Sequence, residues 1–243
     1  MSDTFNAVLP AEWAPQSGIQ LTWPHAGTDW AHMLTEVQAC FAAIAREIAQ
    51  RELLLIVTPE PEEVKKQISA TVNMQNVRFM ECETNDTWAR DHGAITMLDS
   101  EGASLLDFMF NGWGLKFASD KDNLITRQAV ESGFLNGRYV NRLGFVLEGG
   151  SIESDGLGTL LTTSECLLSP NRNGQMSRDE IDEYICSVFH LKQVLWLDHG
   201  QEMIRIVMSI RSLVFAHRIL LPMCNAPIRR MNITKLYIKW KSN

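Results

Sequence analysis

The sequence predicts a mixed α/β fold, on three observations. Short β-branched runs such as LLLIVT at 53–58 recur along the chain and read as buried strands. Between them lie apolar residues at helical spacing, first Leu34, Val37, Phe41, Ile44 and Ile48. The two kinds of segment alternate instead of segregating, which is the pattern of α/β or α+β domains. With 243 residues, 45% of them apolar, the chain can bury a core as one large domain or two small ones.

Taken in order, GIQLTW at 18–23 reads as a strand, and the Leu34 pattern predicts a helix to about Arg51. LLLIVT follows as a strand. PEPEEVKKQI, opening with prolines and acids, suits a helix N-terminus. VRFMECE at 77–83 is a strand that delivers TNDTWARDHG onto the loop after it. AITML and SLLDFMF are two more strands. A helix is expected around 121–134, where SDKDN supplies capping residues. The stretch 145–168 reads as two strands joined by DGLG, an Asp-Gly hairpin signal. SRDEIDEYICSVFH has the Ser and Glu of a capping box and reads as a helix, and KQVLWLD closes as a strand. No repeat is visible at the level of letters.

Composition excludes several classes. No charge-free stretch is long enough to span a bilayer, and the N-terminus lacks the basic and apolar regions of a secretory signal. Five scattered cysteines without a C-x-x-C spacing argue against a disulfide framework or a metal site, and for the cytoplasm.

TNDTWARDHG at 84–93 poses the functional question. One reading is a polar loop, in which Asn and Asp bond their own backbone and Trp88 lids the core. The other is a grip for a flat cation. Asp86 and Asp91 would accept its N–H groups, Trp88 would cover its face, and Arg90 would help keep Asp91 ionised. A second polar cluster is LEGGSIESDGLGTLLTTSECLLSPNRN at 147–173. There Glu148 precedes Gly149-Gly150, whose bare backbone allows close approach to a ligand. The alternative is a solvated strand end, and Asn171-Arg172-Asn173 is either a loop or a ligand wall.

These stretches, with LPAEWAPQSGIQLTWPH near the start and FNGWGLKFASDKDN, resemble the agmatine deiminase and bacterial peptidyl-arginine deiminase family of guanidine-modifying enzymes. The resemblance covers about residues 8 to 200. It implies an α/β-propeller of the pentein type, built from five ββαβ units around a central site, of which this chain would supply about three. It also implies a mechanism. A cysteine attacks the guanidinium carbon, ammonia leaves, and water hydrolyses the thiouronium to a ureido product. Agmatine to N-carbamoylputrescine is the expected reaction, with peptidyl or free arginine as the alternative substrate. By the resemblance, Asp91 and Glu148 are catalytic. Trp88 is the aromatic wall, with Asp86 and Arg90 beside the substrate. No cofactor, metal, nucleic acid or membrane is implied, and an open propeller with uncovered edges would tend to self-associate.

Residues 201–243 break the pattern. They hold eight Lys or Arg, one acid, Glu202, and no Gly or Asp, against 14 basic and 28 acidic residues before them. The family's GDDTD-G-H-x-D segment and its later cysteine segment are missing from this reading. A synonymous coding of QEMIRIVMSIRS, read two bases on, spells GDDTDSHVD. A change of reading frame near Gln201 therefore explains both the lost motif and the composition. A basic tail for nucleic acid explains the charge alone. Residues 1–200 are then the family part, and the chain as written is expected to be inactive or a guanidine-binding remnant.

Overall fold

A computed structural model describes residues 7–198. The expectations for the basic tail, including the frame change at Gln201, lie outside the described residues. The elements run β1 (Gly18–Thr22), α1 (Leu34–Ala49), β2 (Leu53–Thr58), α2 (Pro61–Ile68) and β3 (Val77–Glu81). Then come α3 (Ala89–His92), β4 (Ile95–Asp99), β5 (Gly102–Met109), α4 (Gly112–Leu115), α5 (Asp122–Glu131) and β6 (Arg138–Val146). The last are β7 (Ile152–Ser154), β8 (Thr159–Thr163), α6 (Ser164–Leu167), α7 (Arg178–Phe189) and β9 (Gln193–Leu197).

The strands form three three-stranded sheets in sequence order. The first, β1-β2-β3, is parallel throughout, so it lacks the antiparallel pair of a ββαβ unit. The second and third share one plan: an antiparallel pair, β4-β5 or β7-β8, and then a helical crossover to a parallel partner, β6 or β9. The repeat invisible in the letters exists in the topology.

Helices lie against these sheets, and this explains their sequence patterns. The middle strand β2 is covered on both faces, which is why LLLIVT is a continuous apolar run. Leu54 and Ile56 pack with Ala45, Ala49, Val64 and Ile68 of α1 and α2. Leu55 and Val57 pack with Ile125 and Ala129 of α5. A further core joins Leu106 and Phe108 of β5 to Ile181, Ile185 and Phe189 of α7 and to Leu160 of β8.

Three sequence expectations change. Residues 145–146 finish β6, a strand the sequence reading missed from Arg138 because Arg138, Asn141 and Arg142 interrupt its apolar pattern. The segment after Thr163 turns helical, since the Thr163 hydroxyl accepts from the Cys166 amide. The residues of SDKDN do not cap α5. Its start is capped from afar by Asn85, whose Oδ1 accepts from the Lys121 and Asp122 amides at 2.8 and 3.1 Å. Asp122 answers by accepting from the Asn85 amide at 2.7 Å. The loop carrying Trp88 and Asp91 is thereby fixed to the helix that covers the first sheet.

Candidate functional site

Asp91 ends up buried because α3 turns straight into the core after the exposed face of Trp88. Its Oδ2 accepts from the Trp113 indole at 3.1 Å and its Oδ1 from the Gly150 amide at 3.0 Å. Burial raises its pKa, and the charge of Glu148 adds to that, while the two hydrogen bonds oppose it. Arg90 does little to offset this. Its guanidinium is turned to Glu12, 3.0 and 3.2 Å from the carboxylate oxygens, and lies largely in solvent. The Arg90 charge does favour the ionised form of Asp91, as expected, but as the smallest of these influences, and its guanidinium pairs with Glu12.

Glu148 is buried to 2% exposure, and its two oxygens lie 2.9 and 3.0 Å from Arg172 Nε. Gly149 and Gly150 were expected to admit a ligand. Their bare backbone instead admits α3: an added Cβ would lie 2.3 Å from the Arg90 carbonyl and 2.0 Å from Asp91 Oδ1. The two glycines thus bring Asp91 and Glu148 together.

The aromatic wall has three tryptophans. Trp88 stands edge-on to Trp113 at 5.9 Å and tilted against Trp30 at 6.2 Å. Asp86 reaches the site through Trp88, with its Oδ2 accepting from the Trp88 indole at 3.0 Å and its Oδ1 from the Thr87 amide at 2.9 Å. It therefore orients the wall.

Trp113 was not assigned a role from sequence, and Arg172 was read only as part of a loop or a ligand wall. Trp113 sits in α4, where Gly112, Trp113, Gly114 and Leu115 all have positive φ, from 57° to 87°. The Leu115 and Lys116 amides reach back four residues, to the Asn111 and Gly112 carbonyls. This is one left-handed helical turn, a conformation that costs non-glycine residues energy. Asn111 stabilises it by accepting from the Gly114 amide at 2.9 Å and donating to the Asn171 carbonyl at 2.7 Å. The available signal was Gly-Trp-Gly, two glycines around a large aromatic.

His92 was read as a loop residue and is buried at the end of α3. Burial pushes its pKa down to about 4, and its Nε2 lies 3.3 Å from the Thr22 hydroxyl. It is a neutral core residue. Among the described cysteines, Cys82, Cys166 and Cys186 have thiols pushed up by burial, the opposite of an activated nucleophile. No group of three or more His, Cys, Asp or Glu among the described residues could hold a metal ion.

Comparison with known proteins supplies the family. The profile of the Porphyromonas-type peptidyl-arginine deiminases matches residues 8–215. Agmatine deiminase of Stutzerimonas stutzeri is 36% identical over 198 residues, which are 79% of this chain and 53% of that protein. The crystal structure of a putative arginine deiminase from Porphyromonas gingivalis is 45% identical, with a TM-score of 0.73 over 80% of this chain and 58% of that one. A substrate-bound C. jejuni agmatine deiminase is 33% identical, with a TM-score of 0.74 over 82% and 58%. The chain spans about half the length of the curated relatives it matches. A match of this extent shows that the chain belongs to the Porphyromonas-type peptidyl-arginine deiminase family.

Proposed function

We propose that this chain carries the guanidinium-binding part of a hydrolytic deiminase site, with agmatine as its substrate and N-carbamoylputrescine and ammonia as the products. The observation that carries the reading is Asp91. It is a buried carboxylate that, among the described residues, has only the neutral Trp113 and Gly150 donors on its oxygens, beside a wall of tryptophans. A planar cation supplies what that carboxylate lacks, and the indole faces suit its apolar plane and the alkyl chain behind it. In the family mechanism a cysteine thiolate would attack the held guanidinium carbon. Cys82, Cys166 and Cys186 have thiols pushed up by burial and Cys40 lies on α1, outside the segments that carry the resemblance, so we assign the nucleophile outside the described residues.

Agmatine is preferred to arginine on charge. Gripping an α-carboxylate calls for a free arginine fork. Arg90 is engaged by Glu12 and Arg172 by Glu148, whereas Asp86 and Asp29 add negative charge near Trp88. The alternative, free or peptidyl arginine, is favoured by the 45% identity to the protein described as a putative arginine deiminase.

Tryptophan fluorescence of the 243-residue chain, titrated with agmatine, free arginine and an arginine-containing peptide, separates the readings. Agmatine is expected to bind at least about tenfold more tightly than arginine. Equal or tighter binding of arginine would overturn the choice of substrate. Saturation by no guanidine at all would overturn the site.

A further inference from the structure

Two buried carboxylates, Asp91 and Glu148, lie with the partly buried Arg172, and they are unequally matched. A charge taken out of water is costly unless another charge or several hydrogen bonds replace the lost hydration. Glu148 has its counter-charge, with Arg172 Nε within 3.0 Å of both oxygens. Among the described residues Asp91 has only the indole and amide donors, and its neighbour Arg90 is engaged by Glu12.

We propose that Arg172 is a built-in guanidinium that occupies Glu148 and so leaves Asp91, and not Glu148, open to the guanidinium of a substrate. The proposal rests on reading the pocket as a guanidinium site. It makes Arg172 a positioning residue that acts through Glu148 and sets how many guanidinium groups the pocket takes.

The backbone around Arg172 supports a role beyond holding the loop, because its neighbours already do that. Asn173 exchanges hydrogen bonds with the backbone of Val146 at 3.0 and 2.9 Å. The Asn171 side chain donates to the Gly114 carbonyl at 3.3 Å, and its own carbonyl accepts from Asn111. The loop is therefore anchored on both sides of Arg172, and the charge of Arg172 is left for Glu148. The fit on the other side is close. A Cβ on Gly114, in the left-handed turn that carries Trp113, would lie 3.4 Å from Arg172 Nη1. The Arg172 guanidinium and the Trp113 indole are thus placed by one pair of interlocked loops. The first pairs with Glu148 and the second with Asp91. Without the arginine the pocket would offer two buried carboxylates, and two cations or one misplaced cation would satisfy them.

Removing the built-in cation tests this, with methylguanidine as the probe and saturation-transfer NMR as the readout. In the wild-type chain, Asp91→Asn is expected to reduce methylguanidine binding at least about tenfold. In an Arg172→Ala background the same Asp91→Asn change should leave binding largely in place. A further Glu148→Gln change should then remove it. Arg172→Lys, which keeps a cation beside Glu148, should behave as wild type. A merely structural arginine predicts otherwise: binding in Arg172→Ala would still depend wholly on Asp91, and that result overturns the proposal. If Arg172→Ala does not fold, Arg172→Gln takes its place. Should both fail to fold, restoration of the tryptophan near-UV spectrum by millimolar methylguanidine supports the proposal, and failure to restore it counts against. The two readings fail separately. Wild-type chain that binds no methylguanidine, while Arg172→Ala binds it through Glu148, sinks the Asp91 site and keeps the role of Arg172.

Discussion

Asp91 shows why a buried acid can be both a liability and a site. Burial raises its pKa, so part of its binding power is withheld until the pH rises above that raised value. Agmatine affinity should therefore increase with pH across the acid range. Asp91→Asn should bind more weakly by about 2–3 kcal/mol, as loss of a charged partner does, and lose the pH dependence. Calorimetry at several pH values checks both, and an unchanged profile in the variant would remove Asp91 from the site. Asp122 makes the same kind of statement about stability. Its pKa is pushed up to about 6 by burial, against the pull of the Asn85 amide. A raised acid stabilises the fold while it is protonated, below its unfolded value, and that contribution is lost as pH rises through about 6. Wild type should thus lose about 2 kcal/mol relative to Asp122→Asn between about pH 4 and pH 7, a discounted figure. The comparison must be between the two proteins, because His92, with its pKa lowered to about 4, has the opposite sign: its neutral form favours the fold above its unfolded value, and that contribution is lost as pH falls toward about 4. Urea titrations along the pH range measure the difference.

The left-handed turn α4 is the element whose conformation is most opposed to local preference. Leu115 has φ of 65° yet is mostly exposed, so the strain at this residue has little packing to offset it. Leu115→Gly should stabilise the protein by about 0.5–1 kcal/mol, the left-handed cost relieved less the extra freedom of the unfolded glycine. Gly112→Ala should do the reverse. Its Cβ would lie 2.1 Å from the Phe117 carbonyl, so a loss of about 2 kcal/mol or more is expected, together with weaker guanidine binding as Trp113 leaves Asp91. Thermal melts that move both variants the same way would disprove this account of the turn. Helix α7 is the contrasting case. Its capping box, with Ser177 and Glu180 bonded reciprocally, was legible in SRDE because both partners lie within one turn. The Asn85 cap on α5 was not legible, because its two halves are 36 residues apart.

At the scale of the whole molecule, α5 lies against the first sheet and α7 packs on the second and third, so the first two sheets gain cover from elements that come later in the chain. On the third sheet Leu195 of β9 is 47% exposed. We propose that the 243-residue chain by itself releases no ammonia from agmatine above background, since Cys82, Cys166 and Cys186 hold their protons more tightly than a free thiol. Turnover by this chain, abolished by mutating one of its five cysteines, would show that the nucleophile has been misassigned. The change of frame near Gln201 is a proposal that the coding DNA decides. GDDTDSHVD should appear two bases out of register there, and codons that cannot spell it would leave the basic tail to be explained as protein.

Local chemistry was enough for the sequence to determine the alternation of strands and helices, the buried middle strand, the capping box and the polar stretches that hold Asp91 and Glu148. Each of these depends on periodicity or on residues within one turn of each other. What only the tertiary structure decided is which partner each polar group takes. Asp86 holds Trp88, Arg90 holds Glu12, Arg172 holds Glu148, and the paired glycines make room for Asp91. Buried polar groups must find partners, but the chain can supply them from any distance, and spacing along the sequence carries no record of which one will be nearest in space.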